Sequence, residues 1–315
     1  MARSEDVASM RWTVNERRAS WPARVYVLGM RANRDKDAFE GEENTLRIAR
    51  KRQRSGNRPP TWWTRTRMEV REETVDGMTV WRVRPRDEEP IVTVVYLHGG
   101  GYVHPLTTDY WRLVRALAST PAEVVVPAYP LAPDATVDDV VPRLTDLAAH
   151  EAGQGPTVLM GDSAGGALAL VLAQQLRDAG RPQARAVVAL CPWLDATLHE
   201  DAVADLESKD PMLAESGLRA AGRWWAGDRD PSDPMVSPLE GRLDDLPPLT
   251  VMIGDRDILR PAVDELAERA GDSGVELQVR EVPSMFHVWM THPIPEAQRT
   301  RRWLVRFLRG VVGRR

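Results

Sequence analysis

Gly161-Asp162-Ser163-Ala164-Gly165-Gly166 sets one serine between glycines at G-x-S-x-G spacing, directly after the apolar run 158–160. Small residues on both sides let a strand turn sharply into a helix and leave the hydroxyl exposed at the top of a sheet, so Ser163 is a candidate nucleophile. A helix starting there would aim its free N–H groups and positive dipole end at whatever the serine attacks. Serine is a weak nucleophile at its own pKa and needs a base, and the base needs an orienting acid. Among the six histidines, His287 follows the last strand-like run in Val282-Pro283-Ser284-Met285-Phe286-His287, whereas His150 and His199 read as surface residues. The acid is offered by Gly254-Asp255-Arg256-Asp257, after the apolar run 249–253. Either Asp255 or Asp257 could accept the Nδ1 proton of His287 and fix its tautomer.

Attack on a carbonyl also needs donors for the developing oxyanion. The run 91–97 delivers His98-Gly99-Gly100-Gly101-Tyr102, and glycines let backbone N–H groups approach a substrate oxygen unobstructed. The amides of Gly100, Gly101 and Ala164 are the expected donors, each typically worth about 3 kcal/mol in the transition state. A phosphate cradle is disfavoured, because neither G-K-[ST] nor G-x-G-x-x-G spacing is present.

These residues need a scaffold that brings them to one edge. Short β-branched or aliphatic runs at 91–97, 123–126, 157–160, 186–190, 249–253 and 276–282 are separated by helical patterns, clearest at 137–149, 164–179 and 262–270. Such alternation predicts an α/β protein with a mainly parallel sheet covered on both faces, ligands binding at the carboxyl ends of the strands. Asp76-Gly77 between alternating segments predicts an antiparallel hairpin ahead of it. The first 60 residues predict one or two helices and no strand, closed off by Arg58-Pro59-Pro60. Residues 197–238 lack a strand pattern and place Leu218, Ala221 and Trp225 on one helical face, predicting a helical excursion over the site. A final helix should start near Pro295.

Composition narrows the function. The 315 residues are 43% hydrophobic and carry 42 basic against 46 acidic residues, net −4, which gives no reason to expect nucleic acid or an anionic membrane as partner. The basic run 47–58 has no interleaved aromatics and reads as a solvated helix face and linker. A single cysteine, Cys191, excludes an intrachain disulfide and a multi-thiolate zinc site. Arg3, Glu5, Asp6 and Arg11 leave no apolar signal region, and no apolar stretch is long enough to span a bilayer. A cytoplasmic enzyme working through an acyl-serine on a small-molecule ester is expected, without metal or organic cofactor; an amidase, lactonase or acyltransferase with the same acyl-enzyme and a non-catalytic small-molecule receptor on the same fold are the alternatives, and a homodimer is left open. Tyr102, Trp193, Met212, Leu213, Trp224, Trp225, Phe286 and Trp289 are candidates for an apolar pocket wall.

Over roughly residues 91–289 the chain resembles the hormone-sensitive-lipase-like esterases of the α/β-hydrolase fold. The resemblance is carried by His98-Gly99-Gly100-Gly101-Tyr102, Tyr129-Pro130-Leu131-Ala132-Pro133, Gly161-Asp162-Ser163-Ala164-Gly165-Gly166, Asp233-Pro234, Gly254-x-x-Asp257-x-Leu259 and Phe286-His287. It implies a serine carboxylic ester hydrolase with Ser163 as nucleophile, His287 as base and Asp257, rather than Asp255, as acid. It also implies that His98 and Gly99 support the glycine loop, and that an N-terminal segment, 1–66, joins the excursion at about 197–238 as a cap on the catalytic domain, 67–315. Three positions depart from the family pattern: Pro130 and Asp134 stand where Arg and Glu are common, and Ile258 replaces the proline of Asp-Pro-Leu.

Overall fold

Valine-rich segments buried on both faces form the centre of one sheet. A computed structural model of the chain describes residues 10–14, 19–199 and 202–313. Arg3, Glu5 and Asp6, on which the expected lack of a signal region rests, lie outside them, as do parts of segments 1–66 and 197–238. The described strands are β1 (Arg11–Val14), β2 (Glu69–Val75), β3 (Met78–Arg84), β4 (Val92–Leu97), β5 (Ala122–Ala128), β6 (Thr157–Asp162), β7 (Ala186–Leu190), β8 (Leu249–Gly254) and β9 (Leu277–Val282). Their order is β1-β9-β8-β7-β6-β4-β5-β3-β2. Pairing is antiparallel only for β2 with β3 and β3 with β5 among the described strands. The sheet is therefore mostly parallel, with the Asp76-Gly77 hairpin at one edge.

Helices cover both faces: α1 (Trp21–Ala32), α2 (Glu42–Arg54), α3 (Trp62–Arg67), α4 (Tyr110–Leu117), α5 (Val137–Gln154), α6 (Ala164–Asp178), α7 (Ala202–Glu207), α8 (Glu215–Ala226), α9 (Arg260–Ser273) and α10 (Pro295–Gly313). A Thr136/Asp139 capping box starts α5, satisfying amides that the first turn would leave unpaired. Residues 164–173 of α6 are all buried, because the helix lies against the sheet at very short range. A Cβ on Gly165 would sit 2.0 Å from the Leu97 carbonyl oxygen, so only glycine permits this approach at that turn.

Two expectations need correction. The N-terminal region does contain a strand, β1, which pairs in parallel with β9 at the sheet edge. Its four residues are only half-buried at best, too few for alternation to register, and its partner is more than 260 positions away. Pro59-Pro60 does not close the helical region either, since Thr61 caps α3 immediately afterwards, its side chain accepting from the Thr64 amide.

The excursion between β7 and β8 holds α7 and α8 and no described strand, and Leu218, Ala221 and Trp225 all face inward. It is bonded to the N-terminal helices: the Gly41 amide donates to Ser216 Oγ at 2.9 Å and Arg223 pairs with Glu42 at 2.7 Å.

Candidate active site

β6 ends and α6 begins at Ser163, whose backbone sits at φ 52° and ψ −123°. A non-glycine residue there typically costs about 1–3 kcal/mol, and surrounding bonds hold it in place. The Ser163 amide donates to the Leu190 carbonyl at 2.9 Å, and its own carbonyl accepts from Gly166, Ala167 and Trp193. The serine is 4% exposed and lines a cavity of about 240 Å³ shared with Gly100, Gly101, Met212, Leu213 and His287.

His287 is carried by the loop after β9 and Asp257 by the loop after β8. Both strands are parallel to β6 within one sheet, so all three loops open at the same carboxyl edge. His287 Nδ1 lies 2.8 Å from Asp257 Oδ2, with both side chains buried. A carboxylate oxygen can only accept, so Nδ1 carries the proton and Nε2 is left as the basic nitrogen. The other carboxylate oxygen of Asp257 accepts the Leu259 amide at 3.0 Å. Burial pulls the imidazole pKa down, but the charge and hydrogen bond of Asp257, with Asp210 and Asp162 beyond, outweigh it and leave a net rise above 6.5. Asp255 faces elsewhere, accepting the Ser284 amide at 2.6 Å.

Beside this pair the Val288 amide donates to Cys191 Sγ at 3.3 Å. Ligand-type atoms of Cys191, Asp257 and His287 fall within 4.8 Å of one another. Burial, reinforced by Asp257, drives the thiol pKa far upward; a protonated thiol is a poor metal ligand, and the imidazole Nδ1 is already engaged.

The glycine loop is tied to a residue whose part was not visible from sequence, Asp162. Its Oδ1 accepts the Gly99 amide at 3.1 Å and the Tyr96 hydroxyl at 2.6 Å, while its Oδ2 accepts the Tyr110 hydroxyl at 3.1 Å. Burial raises its pKa to about 6, against the pull of those donors. His98 stacks on Tyr129 with centroids 4.4 Å apart and donates from Nδ1 to the Gly99 carbonyl at 2.8 Å. The Tyr129 hydroxyl donates to the His98 carbonyl at 2.6 Å, and burial lowers the His98 pKa to about 4, so the ring is neutral at pH 7. Gly100 and Gly101 adopt φ 111° and 60°, which turns the loop over the serine corner. Among the described residues the amides of Gly100, Gly101 and Ala164 donate to no other protein group.

The expected apolar wall is only partly assembled. Met212 and Leu213 line the cavity; among the described residues Tyr102, Trp193, Trp224, Trp225, Phe286 and Trp289 do not. Tyr102 stacks on Trp225 at 4.2 Å and lies 5.5 Å from Trp193, Phe286 stacks on Tyr26, Trp289 donates to Thr300 Oγ1 at 3.0 Å, and Trp224 is half-buried. Large aromatics are as well suited to core packing as to substrate contact, and only their positions separate the two. Sequence reasoning also passed over Asp35, Arg52, His104 and Asp210. Arg52 is exposed, as its run was read, and also lines the cavity together with Asp35 and His104. Asp210, in the excursion, accepts the amides of Met212, Leu213 and Ile258 at 2.7, 3.0 and 3.1 Å. The last of these donors exists because position 258 is not proline.

With this geometry, the model of the α/β hydrolase fold family matches residues 94–291. The chain belongs to the hormone-sensitive-lipase-like esterases of the α/β-hydrolase fold. An acetyl-hydrolase from Streptomyces hygroscopicus is 32% identical over 247 residues, covering 76% of this chain and 82% of the relative. A carboxylesterase from Mycobacterium tuberculosis is 30% identical over 264 residues, covering 77% and 81%. A solved esterase of the bacterial hormone-sensitive lipase family superposes with a TM-score of 0.78 at 26% identity, covering 94% of this chain and all of its own. This esterase-family chain is an ester-hydrolysing serine hydrolase. Among its described residues, no helix is long and apolar enough to cross a membrane.

Proposed function

We propose that Ser163 is the nucleophile of this esterase, His287 its general base and Asp257 the acid that orients the base. The observation that carries the reading is the 2.8 Å bond from His287 Nδ1 to Asp257, in a cavity that the strained Ser163 corner also lines. His287 Nε2 takes the hydroxyl proton as Ser163 Oγ adds to the ester carbonyl. The tetrahedral oxyanion is received by the amides of Gly100, Gly101 and Ala164. Collapse breaks the bond to the leaving alcohol, which takes the proton from His287, and leaves an acyl-serine. Water, deprotonated by the same imidazole, then releases the carboxylic acid and restores the serine.

The N-terminal helices and the excursion act as a cap in this reading, supported by the bonds between them and by Met212 and Leu213 entering the cavity from the excursion. A cavity of about 240 Å³ suits acyl groups of short to medium length. The test is a panel of p-nitrophenyl esters from acetate to palmitate, run beside labelling by a fluorophosphonate and peptide mapping. Turnover of the shorter esters with label on Ser163 is expected. No turnover of any ester together with an unlabelled Ser163 would sink the assignment in favour of a non-catalytic receptor.

A further inference from the structure

We infer that His104, with Arg52 and Asp35 at the solvent side, forms a polar subsite that favours esters bearing a hydroxyl group over their alkyl counterparts. This rests on Ser163 being the nucleophile of the same cavity. His104 is 4% exposed and lines that cavity. Neither of its ring nitrogens has a hydrogen-bond partner among the described residues. Buried polar groups of native proteins are nearly always paired, so an imidazole left with both nitrogens open beside a reactive serine marks a place where a ligand atom completes the bonding.

The backbone that carries the ring is anchored to the glycine loop. The His104 amide donates to the Gly100 carbonyl at 2.9 Å, and the ring meets the edge of Phe39 with centroids 5.2 Å apart. A Cβ on Gly100 would come within 2.7 Å of the His104 carbonyl oxygen, so the imidazole is built on the same turn as the proposed oxyanion donors. Whatever it grips is thereby registered against the carbonyl under attack.

The chemistry of the ligand group follows from the charge balance. Burial, with Arg52 adding to it, lowers the His104 pKa to about 3, so the ring is neutral at pH 7 and presents one donor and one acceptor. A hydroxyl can donate or accept and therefore pairs with whichever nitrogen faces the cavity; an ether or ketone oxygen cannot donate. The guanidinium of Arg52, which interacts electrostatically with Asp35, lines the same cavity and can donate to a ligand oxygen there. An anionic substituent fits poorly, since Asp35, Asp109 and Asp162 line the cavity against the single Arg52. A plain alkyl group would leave the imidazole unpaired in a dry contact, a situation that sites built for a hydroxyl reject.

The experiment uses two isosteric ester pairs. One places the hydroxyl in the acyl part, p-nitrophenyl 3-hydroxybutyrate against p-nitrophenyl 3-methylbutyrate. The other places it in the alcohol, 2-hydroxyethyl butyrate against propyl butyrate. For the wild-type chain, kcat/KM should favour the hydroxylated member of at least one pair by about tenfold, the worth of one neutral hydrogen bond. His104→Leu should bring that ratio close to one, and His104→Gln, which keeps a donor and an acceptor, should retain a preference. Should His104→Leu fail to fold, His104→Phe makes the same comparison with the ring shape preserved. Wild-type ratios near one in both pairs, or a preference that survives loss of the imidazole, overturn the subsite while the esterase assignment stands. No turnover of any member, with Ser163 unlabelled by fluorophosphonate, overturns both.

Discussion

Replacing Asp257 by asparagine tests the proposed mechanism at its most informative atom. In the native site Oδ2 accepts from His287 Nδ1 at 2.8 Å and Oδ1 accepts the Leu259 amide at 3.0 Å. An asparagine of the same shape would keep its carbonyl oxygen on the Leu259 amide, the contact that requires an acceptor, and turn its NH₂ toward His287. Nδ1 must then accept, the ring proton moves to Nε2, and the nitrogen proposed as the base for Ser163 can no longer take a proton. The wrong tautomer in a serine–histidine–acid system costs about 10⁴ in kcat, or roughly 5.4 kcal/mol at 1.36 kcal/mol per decade. Because the loss belongs to the transition state, KM should change little. The assay is steady-state hydrolysis of p-nitrophenyl butyrate, with fluorophosphonate titration to count competent sites. Asp255→Asn is the control, since its Oδ1 can keep the Ser284 amide; its kcat should stay near wild type. If Asp255→Asn lost activity by orders of magnitude and Asp257→Asn did not, the tautomer argument would be wrong.

Three further outcomes follow from the same geometry. With the His287 pKa raised above 6.5 and the neutral ring required as base, kcat/KM should rise with pH through a midpoint above 6.5; a flat profile or a lower midpoint in stopped assays speaks against a histidine base held by Asp257. Ser163→Ala and Ser163→Gly should both abolish turnover, but the glycine variant should unfold at higher urea than the alanine one by about 1 kcal/mol, because φ 52° with ψ −123° strains any residue with a Cβ; the reverse order would mean the corner is unstrained. Asp210→Ala should destabilise the chain by about 3 kcal/mol or more and raise KM, as the amides of Met212, Leu213 and Ile258 lose their acceptor inside the protein; a urea midpoint unchanged from wild type would show that these amides find other partners.

The alternation of valine-rich runs with helical patterns was enough to place a mostly parallel sheet, because burial on both faces imposes near-continuous apolar strands. Gly161-Asp162-Ser163-Ala164-Gly165 was legible for a related reason: only small residues permit the contact between Gly165 and the Leu97 carbonyl. β1 escaped, since a four-residue edge strand has no periodicity to read and takes its register from β9. Tyr102 packs against both Trp193 and Trp225, an arrangement that composition cannot tell from a pocket wall. His104 and Arg52 carried too little local pattern to stand out, although a histidine two positions past Tyr102 in the glycine loop was a usable signal.

Local sequence thus determined which elements form and which residue types could perform acyl transfer, since turn sterics and hydrophobic periodicity act over a few residues. Local chemistry did not separate Asp255 from Asp257, two positions apart and alike; the family resemblance pointed to Asp257, and the physical reason for a difference lies in the tertiary structure. Their side chains leave the loop after β8 in different directions, and only the meeting of that loop with the one after β9 decides which carboxylate reaches His287 Nδ1. The same holds for the tie from Asp210 to Ile258 and for the unpaired imidazole of His104: both depend on where distant segments dock, because a buried group's partners are set by packing.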